Sequence, residues 1–284
     1  AALISIAAEQ AADSKEVRTT NQRRRSMPTY LITGASSGIG LELVKQLVSS
    51  TGNEVFATVR SRGSSSTGVD GISAVVPVEG SSIIILEGID VSKDDVDDAL
   101  ISQLDNSVID VVVHNAGSLN GTRESTGQEM MTEQKLENIS MDRMRAAFEV
   151  NTLGPLRVQK ALLGANLMKC GMGKVAFIST ELGSIDDNKS GGQYAYRVSK
   201  AGVNMAARSM SCDLKSKEIS VRIIAPGFVA TEFGPGKEKM KGWGAMSVEI
   251  AAKGIISLIE SMTMENTGEF YCVQRDSSAK AFPW

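Results

Sequence analysis

The sequence has 284 residues, of which 42% are hydrophobic and 22% charged, a composition typical of a folded globular protein rather than a disordered one. Thirty basic and 33 acidic residues leave a net charge of -3, so no overall positive field favours nucleic acid or an anionic membrane, and we expect neither as a partner. Three cysteines and a single histidine exclude a disulfide framework and a multi-histidine metal centre, and we predict no metal site.

The N-terminal segment, residues 1–27, differs from the rest of the chain. It opens with a short apolar run, far below the ~20 residues that span a bilayer, and carries three successive arginines near its end. It is either an organellar targeting remnant, for which Glu9, Asp13 and Glu16 are unusually acidic, or an extension upstream of a domain that begins near Met27. We favour the extension and a cytoplasmic protein; the targeting interpretation would make it organellar.

From Tyr30 onward, β-type runs alternate with segments of helical periodicity, the pattern of a parallel sheet covered by helices. Predicted strands lie at residues 29–33, 54–59, 83–88, 108–114, 174–179, 220–225 and 269–273. Predicted helices lie at residues 41–50, 94–104, 141–167, 195–214 and 247–262. We therefore predict one α/β domain over residues 28–284, a doubly wound, Rossmann-type parallel sheet of about seven strands. Open sheets of this kind bind ligands at the carboxyl ends of their strands.

Three segments interrupt this alternation. Residues 61–71 are polar and glycine-rich, and we expect a mobile surface loop there. Residues 119–140 are long for a connection between strand and helix, and are a candidate substrate wall. Residues 233–247 carry glycines, lysines and Trp243, and form either a lid or a plain surface loop.

A glycine-rich turn, TGASSGIG at residues 33–40, joins the first strand to the first helix. Such a junction directs backbone N–H groups and a helix N-terminus toward a bound pyrophosphate. The spacing differs from G-x-G-x-x-G, so a purely structural turn is the alternative. The candidate cofactor contacts in the turn are Gly34, Ser36, Ser37, Gly38, Ile39 and Gly40.

The residue at the end of the second strand discriminates between dinucleotides. An acidic residue there binds the ribose diol of NAD, whereas arginine accommodates the 2′-phosphate of NADP. The position holds Arg60, with Arg62 nearby. We predict NADP(H) as the cofactor; the alternative is that both arginines are solvated.

A tyrosine and a lysine suggest acid–base chemistry. Hydride transfer to a carbonyl builds negative charge on oxygen, so a proton donor must lie beside it. Tyr196 and Lys200 are four residues apart at the start of a predicted helix, hence on one face, where an ammonium stabilises a phenolate. Tyr194 has no such partner, because residue 198 is valine. The alternative is an exposed pair on an amphipathic helix.

Five motifs occur in the order found in the short-chain dehydrogenase/reductase family, which the chain resembles over almost everything after Met27. They are TGASSGIG at 33–40, NAG at 115–117, Asn151, YRVSK at 196–200, and Pro226, Gly227 and Thr231. LGSI at 182–185, GGQYAYRVSK at 191–200 and the ending PW resemble the carbonyl-reductase branch that includes sniffer and C-factor-like proteins.

The resemblance implies roles for individual residues. Tyr196 would be the general acid in reduction and the base in oxidation, Lys200 would also hold the nicotinamide ribose, and Asn151 would join a proton relay with water and the lysine. His114, which replaces an asparagine usual in the family, is expected to be a satisfied strand-end residue. The further cofactor contacts implied are Asp90 and Val91 at the adenine, Asn115 and Gly117 after the fourth strand, and Pro226, Gly227 and Thr231 around the nicotinamide, with Val229 among them.

The hydroxyl that would bind the carbonyl oxygen is ambiguous. Thr180 matches the substrate-binding serine of the family, and Ser179 precedes it. Adjacent strand residues point to opposite faces, so only one of the two can face a substrate. We predict Thr180, since threonine can still donate to a carbonyl.

Together these features predict an NADP(H)-dependent oxidoreductase that reduces a carbonyl or oxidises an alcohol on a small or medium-sized, largely apolar substrate. The alternatives are a non-catalytic NADP(H)-binding sensor or scaffold of the same fold, and a 3-oxoacyl or hydroxysteroid reductase. Substrate identity is not encoded in the shared motifs, because the loops that select it vary freely. The chain could act as a monomer, or as a homo-oligomer through the helices predicted at 195–214 and 247–262.

Overall fold

Runs of Val, Ile and Leu form the strands, because branched side chains pack well in a sheet that is covered on both faces. The computed structural model describes residues 27–60, 69–119 and 135–284, and in these ranges it contains one sheet of eight strands. They are β1 (Thr29–Ile32), β2 (Glu54–Val59), β3 (Ser82–Glu87), β4 (Val111–His114), β5 (Lys174–Ile178), β6 (Ser220–Ala225), β7 (Glu269–Val273) and β8 (Ala279–Ala281).

The strand order across the sheet is β3-β2-β1-β4-β5-β6-β7-β8. The first seven strands are parallel, as the sequence predicts, and β8 pairs antiparallel with β7. The order reverses beside β1, which pairs with both β2 and β4. A crevice opens at the carboxyl ends of the strands at such a reversal, and it is the usual ligand site of this architecture.

Helices cover both faces of the sheet. They are α1 (Gly38–Val48), α2 (Val69–Ser73), α3 (Val96–Leu104), α4 (Met141–Phe148), α5 (Gly154–Gly164), α6 (Tyr194–Asp213), α7 (Lys237–Gly242) and α8 (Val248–Glu260). Neighbouring residues of β4 show the two layers: Val112 belongs to an apolar cluster with residues of α3, α5 and α6, whereas Val113 belongs to a second cluster with residues of α1 and α8. The alternation of side chains along a strand thus divides the core.

The helix predicted at 141–167 is confirmed as an unbroken run of helical residues from Met141 to Gly164, with one change of helix type inside it. A π-helical turn, Glu149–Leu153, separates α4 from α5, and α5 ends at Gly164. Pro155 lies in the first turn of α5, where a missing backbone N–H is tolerated. This π-helical turn matters for the candidate site, because Asn151 lies in it.

The interrupting segments are only partly described. Residues 1–26, 61–68 and 120–134 lie outside the described residues, so the interpretations of the N-terminal segment, and most of those for 61–71 and 119–140, are not addressed. Two of the expected loops contain short helices, α2 at the end of the first and α7 within 233–247. Within the described ranges, no helix combines the length and apolar character needed to cross a bilayer.

Candidate active site

The residues singled out in the sequence cluster where strands end. Each of six strands is followed within a few residues by a candidate: Gly34 after β1, Arg60 after β2, Asp90 after β3, Asn115 after β4, Thr180 after β5 and Pro226 after β6. Since these strands are parallel, their carboxyl ends lie along one edge of the sheet. The topology therefore places all six along the crevice edge.

The glycine turn is built for close backbone approach. Gly34 has φ +67°, and a Cβ there would lie 2.9 Å from the Cα of Ala116, closer than real Cβ atoms come. A Cβ at Gly40 would overlap the carbonyl oxygen of Gly34 and the carboxamide of Asn115. Side chains are therefore excluded at both positions, and the turn can lie directly against β4.

A set of hydrogen bonds holds this turn in place. The Asn115 Nδ2 donates to the carbonyl oxygens of Thr33 (3.0 Å) and Gly34 (3.1 Å). The Thr33 Oγ1 accepts from the backbone N–H groups of Asn115 (3.0 Å) and Ala116 (3.1 Å), and the Thr58 Oγ1 accepts from the Gly34 N–H (3.2 Å). Asn115 thus shapes the turn instead of extending its side chain over it.

The N-terminus of α1 opens toward the crevice. Its N-cap residue is Ser37, which has extended backbone geometry but whose hydroxyl makes no capping hydrogen bond to the helix. The first N–H groups of a helix lack partners within the helix and carry the positive end of its dipole. Ser36, Ser37 and Ile39 are half-buried at this point. The turn can therefore offer N–H and hydroxyl donors to an anionic group.

The second and third strands end in residues of different character. Arg60 is exposed at the end of β2, and Arg62 lies outside the described residues. The Asp90 carboxylate accepts hydrogen bonds from the backbone N–H (3.0 Å) and hydroxyl (2.7 Å) of Ser92. Val91 is buried and packs on the start of α5, where a Cβ at Gly154 would lie 2.8 Å from its Cγ2. Among Arg60, Asp90 and Val91, only Arg60 is exposed.

The segment after β6 forms a second wall of the crevice. Pro226 is buried, Gly227 has φ +79°, and a Cβ on Gly227 would lie 2.6 Å from the Met246 Cε. Val229 is buried and pairs with Met246 in an isolated β-bridge. The segment is thereby fastened to Met246, near the end of 233–247. The lid and the plain surface loop remain the two predictions for 233–247.

Thr231 connects this wall to the glycine turn. It is 8% exposed, and its side chain lies 3.6 Å from where a Cβ of Gly38 would be. Its Oγ1 accepts from the backbone N–H of Phe233 (3.2 Å). The Phe233 ring is 6.0 Å from the Tyr196 ring between centroids and is itself 39% exposed. An apolar surface therefore stands beside the tyrosine.

Tyr196 and Lys200 lie one turn apart on α6, which begins at Tyr194. The Lys200 amine is buried, donates to the Ile178 carbonyl oxygen (2.8 Å), and lies 5.9 Å from the centroid of the Tyr196 ring. Desolvation acts on both groups against their charged forms. It raises the pKa of Tyr196 to about 12 and lowers the pKa of Lys200 to about 8.

The two hydroxyls after β5 face different partners. Ser179 is buried and its Oγ donates to the Asn204 Oδ1 on α6 (2.6 Å). The Thr180 side chain instead lies within hydrogen-bonding reach of the Tyr196 phenol, which lowers the tyrosine pKa against the larger effect of burial. The Thr180 Oγ1 also accepts a hydrogen bond from the Leu182 N–H (3.3 Å), which leaves the hydroxyl hydrogen for donation to another group. The structure therefore places Thr180, and not Ser179, beside the tyrosine.

Asn151 is 1% exposed and lies in the π-helical turn. Its Oδ1 accepts from the Ser118 N–H (2.8 Å), and its Nδ2 donates to the Ser118 carbonyl (2.6 Å) and the Ser199 Oγ (2.9 Å). A Cβ on Gly117 would lie 3.3 Å from the Asn151 Oδ1 and 3.6 Å from the Lys200 Nζ. Both carboxamide hydrogens are thus used, and Gly117 separates the amide from the amine.

His114 lies inside the fold at the end of β4. It is 2% exposed, its Nε2 pairs with the Gln159 Oε1 (3.2 Å), and its ring is 4.7 Å from that of Phe177. Its Nδ1 has no partner among the described residues, so the histidine is only half satisfied. Burial lowers its pKa to about 4, so the ring is neutral near pH 7. In the described part of the chain, no three His, Cys, Asp or Glu side chains are grouped to hold a metal.

Several residues of the site were not singled out in the sequence. Thr33 and Ser199 stand within the TGASSGIG and YRVSK motifs, and Phe233 begins the segment 233–247, so motif membership was the available signal. Thr58 and Ser118 carry no such signal, because a hydroxyl or a backbone N–H is recognised as part of a site only once its partner is known. The contacts that shape the crevice come largely from these small polar residues.

Three comparisons place the chain among known proteins. The family model for short chain dehydrogenase matches residues 28–242. A 1-hydroxy-2-glutathionyl-2-methyl-3-butene dehydrogenase from Rhodococcus sp. (strain AD45) is 32% identical over 249 residues, which cover 86% of this chain and 96% of the relative.

Solved structures of similar proteins agree with that match. The carbonyl reductase Sniffer of D. melanogaster is similar with a TM-score of 0.72 and 25% identity, covering 91% of this chain and 100% of that structure. A short-chain dehydrogenase/reductase from Burkholderia multivorans with bound NADP has a TM-score of 0.70 and 26% identity, with 91% and 100% coverage. The match over residues 28–242, together with the sheet order and crevice described above, establishes that the chain belongs to the short-chain dehydrogenase family of oxidoreductases.

Proposed function

We propose that this protein is an NADP(H)-dependent oxidoreductase that interconverts a carbonyl and an alcohol, with Tyr196 as general acid in reduction and general base in oxidation. The observation that carries the proposal is the pairing of Tyr196 with Lys200 at the carboxyl edge of the sheet, the amine 5.9 Å from the phenol ring. The Thr180 hydroxyl is a further donor beside the Tyr196 phenol, where the carbonyl oxygen of a substrate would lie. Such a group stabilises oxygen as it gains negative charge.

The glycine turn fits a dinucleotide. Side chains are excluded at Gly34 and Gly40, and the hydroxyl of Ser37 leaves the first turn of α1 uncapped. We assign the pyrophosphate to this turn, and the nicotinamide end to the crevice between Gly117 and Thr231. When bound, the nicotinamide would supply or accept the hydride.

Arg60 supports NADP(H) over NAD(H). Its guanidinium is exposed at the end of β2, the place where NAD-binding proteins of this architecture carry a carboxylate for the ribose diol. A guanidinium pairs with a phosphate through charge-assisted hydrogen bonds, and the 2′-phosphate is what NADP adds. The similarity to the NADP-bound structure from Burkholderia multivorans points the same way.

The protonation states suit Tyr196 as a donor. With its pKa raised to about 12 by burial, the phenol is protonated near pH 7 and can deliver its hydrogen to a developing alkoxide. Lys200 has a pKa of about 8, so the amine is mostly charged at pH 7. That charge and the Thr180 hydrogen bond favour the phenolate left after transfer, and they would allow the reverse step, oxidation, to begin.

The substrate is expected to be largely apolar. The Phe233 ring stands 6.0 Å from the Tyr196 ring, and Phe228 and Phe233 are 41% and 39% exposed on the same wall. Aromatic side chains that are exposed at a crevice gain free energy when an apolar ligand covers them. We therefore expect a carbonyl that carries an apolar or aromatic group.

The test is a direct assay of turnover. NADPH and NADH absorbance is followed with a panel of aldehydes, ketones and quinones, and we expect NADPH oxidation with apolar members of the panel. Binding of NADPH by fluorescence is measured in parallel. NADPH binding without turnover of any member would favour the non-catalytic sensor or scaffold, and a preference for 3-oxoacyl thioesters or steroids would favour the narrower reductases.

A further inference from the structure

The π-helical turn at Glu149–Leu153 presents two polar residues to the first turns of α6. Asn151 is 1% exposed and Thr152 is 4% exposed, and both make hydrogen bonds to Ser199, which is itself 1% exposed. Ser199 lies between Tyr196 and Lys200 in the sequence but is turned into the protein. The turn and α6 thus meet at a single buried serine.

Ser199 is held through both its side chain and its backbone. Its Oγ accepts from the Asn151 Nδ2 (2.9 Å) and donates to the Tyr196 carbonyl oxygen (3.0 Å). Its carbonyl oxygen accepts from the Thr152 hydroxyl (2.7 Å). The π-helical turn therefore sets the position of the helical turn that carries both the phenol and the amine.

The same carboxamide also fixes the chain after β4. The Asn151 Oδ1 accepts from the Ser118 N–H at 2.8 Å, and its Nδ2 donates to the Ser118 carbonyl at 2.6 Å. Gly117, the residue before, lies beside the Lys200 amine. One amide thus joins the wall next to Lys200 to the helix that carries Lys200, with one Nδ2 hydrogen bonded to Ser118 and the other to Ser199.

We propose that Ser199 is a positioning residue for the reaction: its hydroxyl holds the Asn151 carboxamide in the orientation that keeps Gly117 and Ser118 against Lys200 and Tyr196. This rests on the proposed function for its effect on turnover, but not for its effect on structure. Without the Ser199 Oγ, one hydrogen of the buried Asn151 Nδ2 loses its acceptor. Because an unpaired buried donor costs free energy, the carboxamide is expected to rotate toward another acceptor. The amide then turns, and the bond to the Ser118 N–H is weakened.

A matched control exists in the same helix. Ser211 is also 1% exposed in α6, and its Oγ also donates to the carbonyl three residues earlier, that of Arg208 (2.6 Å). Ser199→Ala and Ser211→Ala therefore remove the same kind of hydrogen bond from two buried sites. Only Ser199 also accepts from Asn151.

The first measurement does not depend on turnover. Amide hydrogen exchange of the full chain reports the Ser118 N–H, and we expect Ser199→Ala to accelerate it at least tenfold, a change that Ser211→Ala does not produce. Equal exchange at Ser118 in wild type and Ser199→Ala overturns the proposal even if the protein proves not to be an enzyme.

The second measurement uses the reaction. We expect Ser199→Ala to lower kcat by about tenfold or more with KM for the carbonyl within twofold, since small displacements of reacting groups act on the chemical step. Ser199→Thr, which keeps the hydroxyl, should recover most of kcat and the slow exchange of Ser118. A kcat unchanged in Ser199→Ala, or equally reduced in Ser211→Ala, contradicts the role. If Ser199→Ala does not fold, Ser199→Cys, whose sulfur is a weaker acceptor for the Asn151 Nδ2, tests the role by the same two readouts.

Discussion

The side chains of Thr180 and Tyr196 come together beside the crevice, although 15 residues separate them in the sequence. The Thr180 side chain lies within hydrogen-bonding reach of the tyrosine and opposes the rise that burial causes in the tyrosine pKa, whereas the Ser179 hydroxyl turns to Asn204 in the core. The extended backbone that continues past β5 sends the two neighbouring hydroxyls in opposite directions. One can therefore serve chemistry and the other packing, and substitutions can separate the two.

Thr180→Val removes the hydroxyl and keeps the shape of the side chain. We expect kcat/KM to fall by about a hundredfold, since one donor at a developing oxyanion commonly contributes that much. Thr180→Ser should stay within a few-fold of wild type. Ser179→Ala should lower the free energy of unfolding by roughly 1–3 kcal/mol, because the buried Asn204 Oδ1 loses its donor, and should leave kcat nearly unchanged. Steady-state kinetics and urea unfolding check both; loss of turnover in Ser179→Ala alone would reverse the assignment.

Much of the fold can be predicted from the sequence, because its buried strands are short, nearly continuous runs of Val and Ile, the pattern typical of a parallel sheet that is covered on both faces. The seven parallel strands are confirmed. Strand β8 could not be predicted, since Ala279–Ala281 is exposed and has no apolar pattern; it pairs through its backbone with β7. The π-helical turn was also missed, because the apolar spacing of residues 141–167 continues through it.

The candidate site likewise contains residues that the sequence predicts and residues that it does not. Spacing alone put Tyr196 and Lys200 on one face of a helix, and chain order put the glycine turn at the mouth of the sheet. The hydrogen-bond partners of Ser199, which are Thr152 and Asn151, could not be predicted because they lie 47 and 48 residues away in the sequence. The contact between Thr180 and Tyr196 could not be predicted because a loop separates the two residues. The hydrogen-bond partner of a serine or threonine hydroxyl depends on the tertiary structure and cannot be predicted from the sequence alone.

Tyr196→Phe removes the proton donor and almost nothing else. We expect turnover to fall at least a hundredfold, the usual contribution of a positioned acid, while NADPH binding measured by fluorescence changes less than threefold. Tyr194→Phe is the matched control, since Tyr194 is in the same helical turn but has Val198 where a lysine would be needed. Substantial activity in Tyr196→Phe, or equal losses in the two variants, would remove Tyr196 from the proposed role.

Arg60→Ala should discriminate between the two coenzymes. We expect the Kd for NADPH to rise about 10- to 100-fold, the loss of a charge-assisted contact to the 2′-phosphate, with little change for NADH. Arg60→Lys keeps the charge and loses the planar fork, so an intermediate Kd for NADPH is expected. Titrations of both coenzymes into each variant decide the matter. Equal weakening of NADPH and NADH would mean that Arg60 does not contact the 2′-phosphate.

The buried amine of Lys200 should make the stability of the cofactor-free protein depend on pH. Its pKa is lowered to about 8 in the folded state by desolvation, from 10.5, so between these values the unfolded state binds more protons and stability rises with pH. We expect the unfolding free energy of wild type relative to Lys200→Met to increase by about 1 kcal/mol between pH 7.5 and 9. Cys272, whose pKa is raised to about 12 by burial, acts oppositely above pH 9, but it cancels in the comparison. A flat difference would indicate a solvated amine.

His114 offers the cleanest titration, because it is the only histidine of the chain and its ring signals need no assignment. Burial lowers its pKa to about 4 from 6.5, with the Gln159 hydrogen bond opposing the shift. The folded state therefore binds fewer protons than the unfolded state between these values, and stability is lost as the pH falls from 6.5 toward 4.

Two measurements check this behaviour. NMR titration of the ring should give a pKa well below 6, and wild type should lose roughly 3 kcal/mol relative to His114→Asn between pH 7 and pH 4. His114→Asn should also keep its turnover at pH 7, since the imidazole lies among Gln159 and Phe177 and not in the crevice. A pKa near 6.5, or a variant that folds normally and has lost turnover, would instead place the histidine in contact with solvent or substrate.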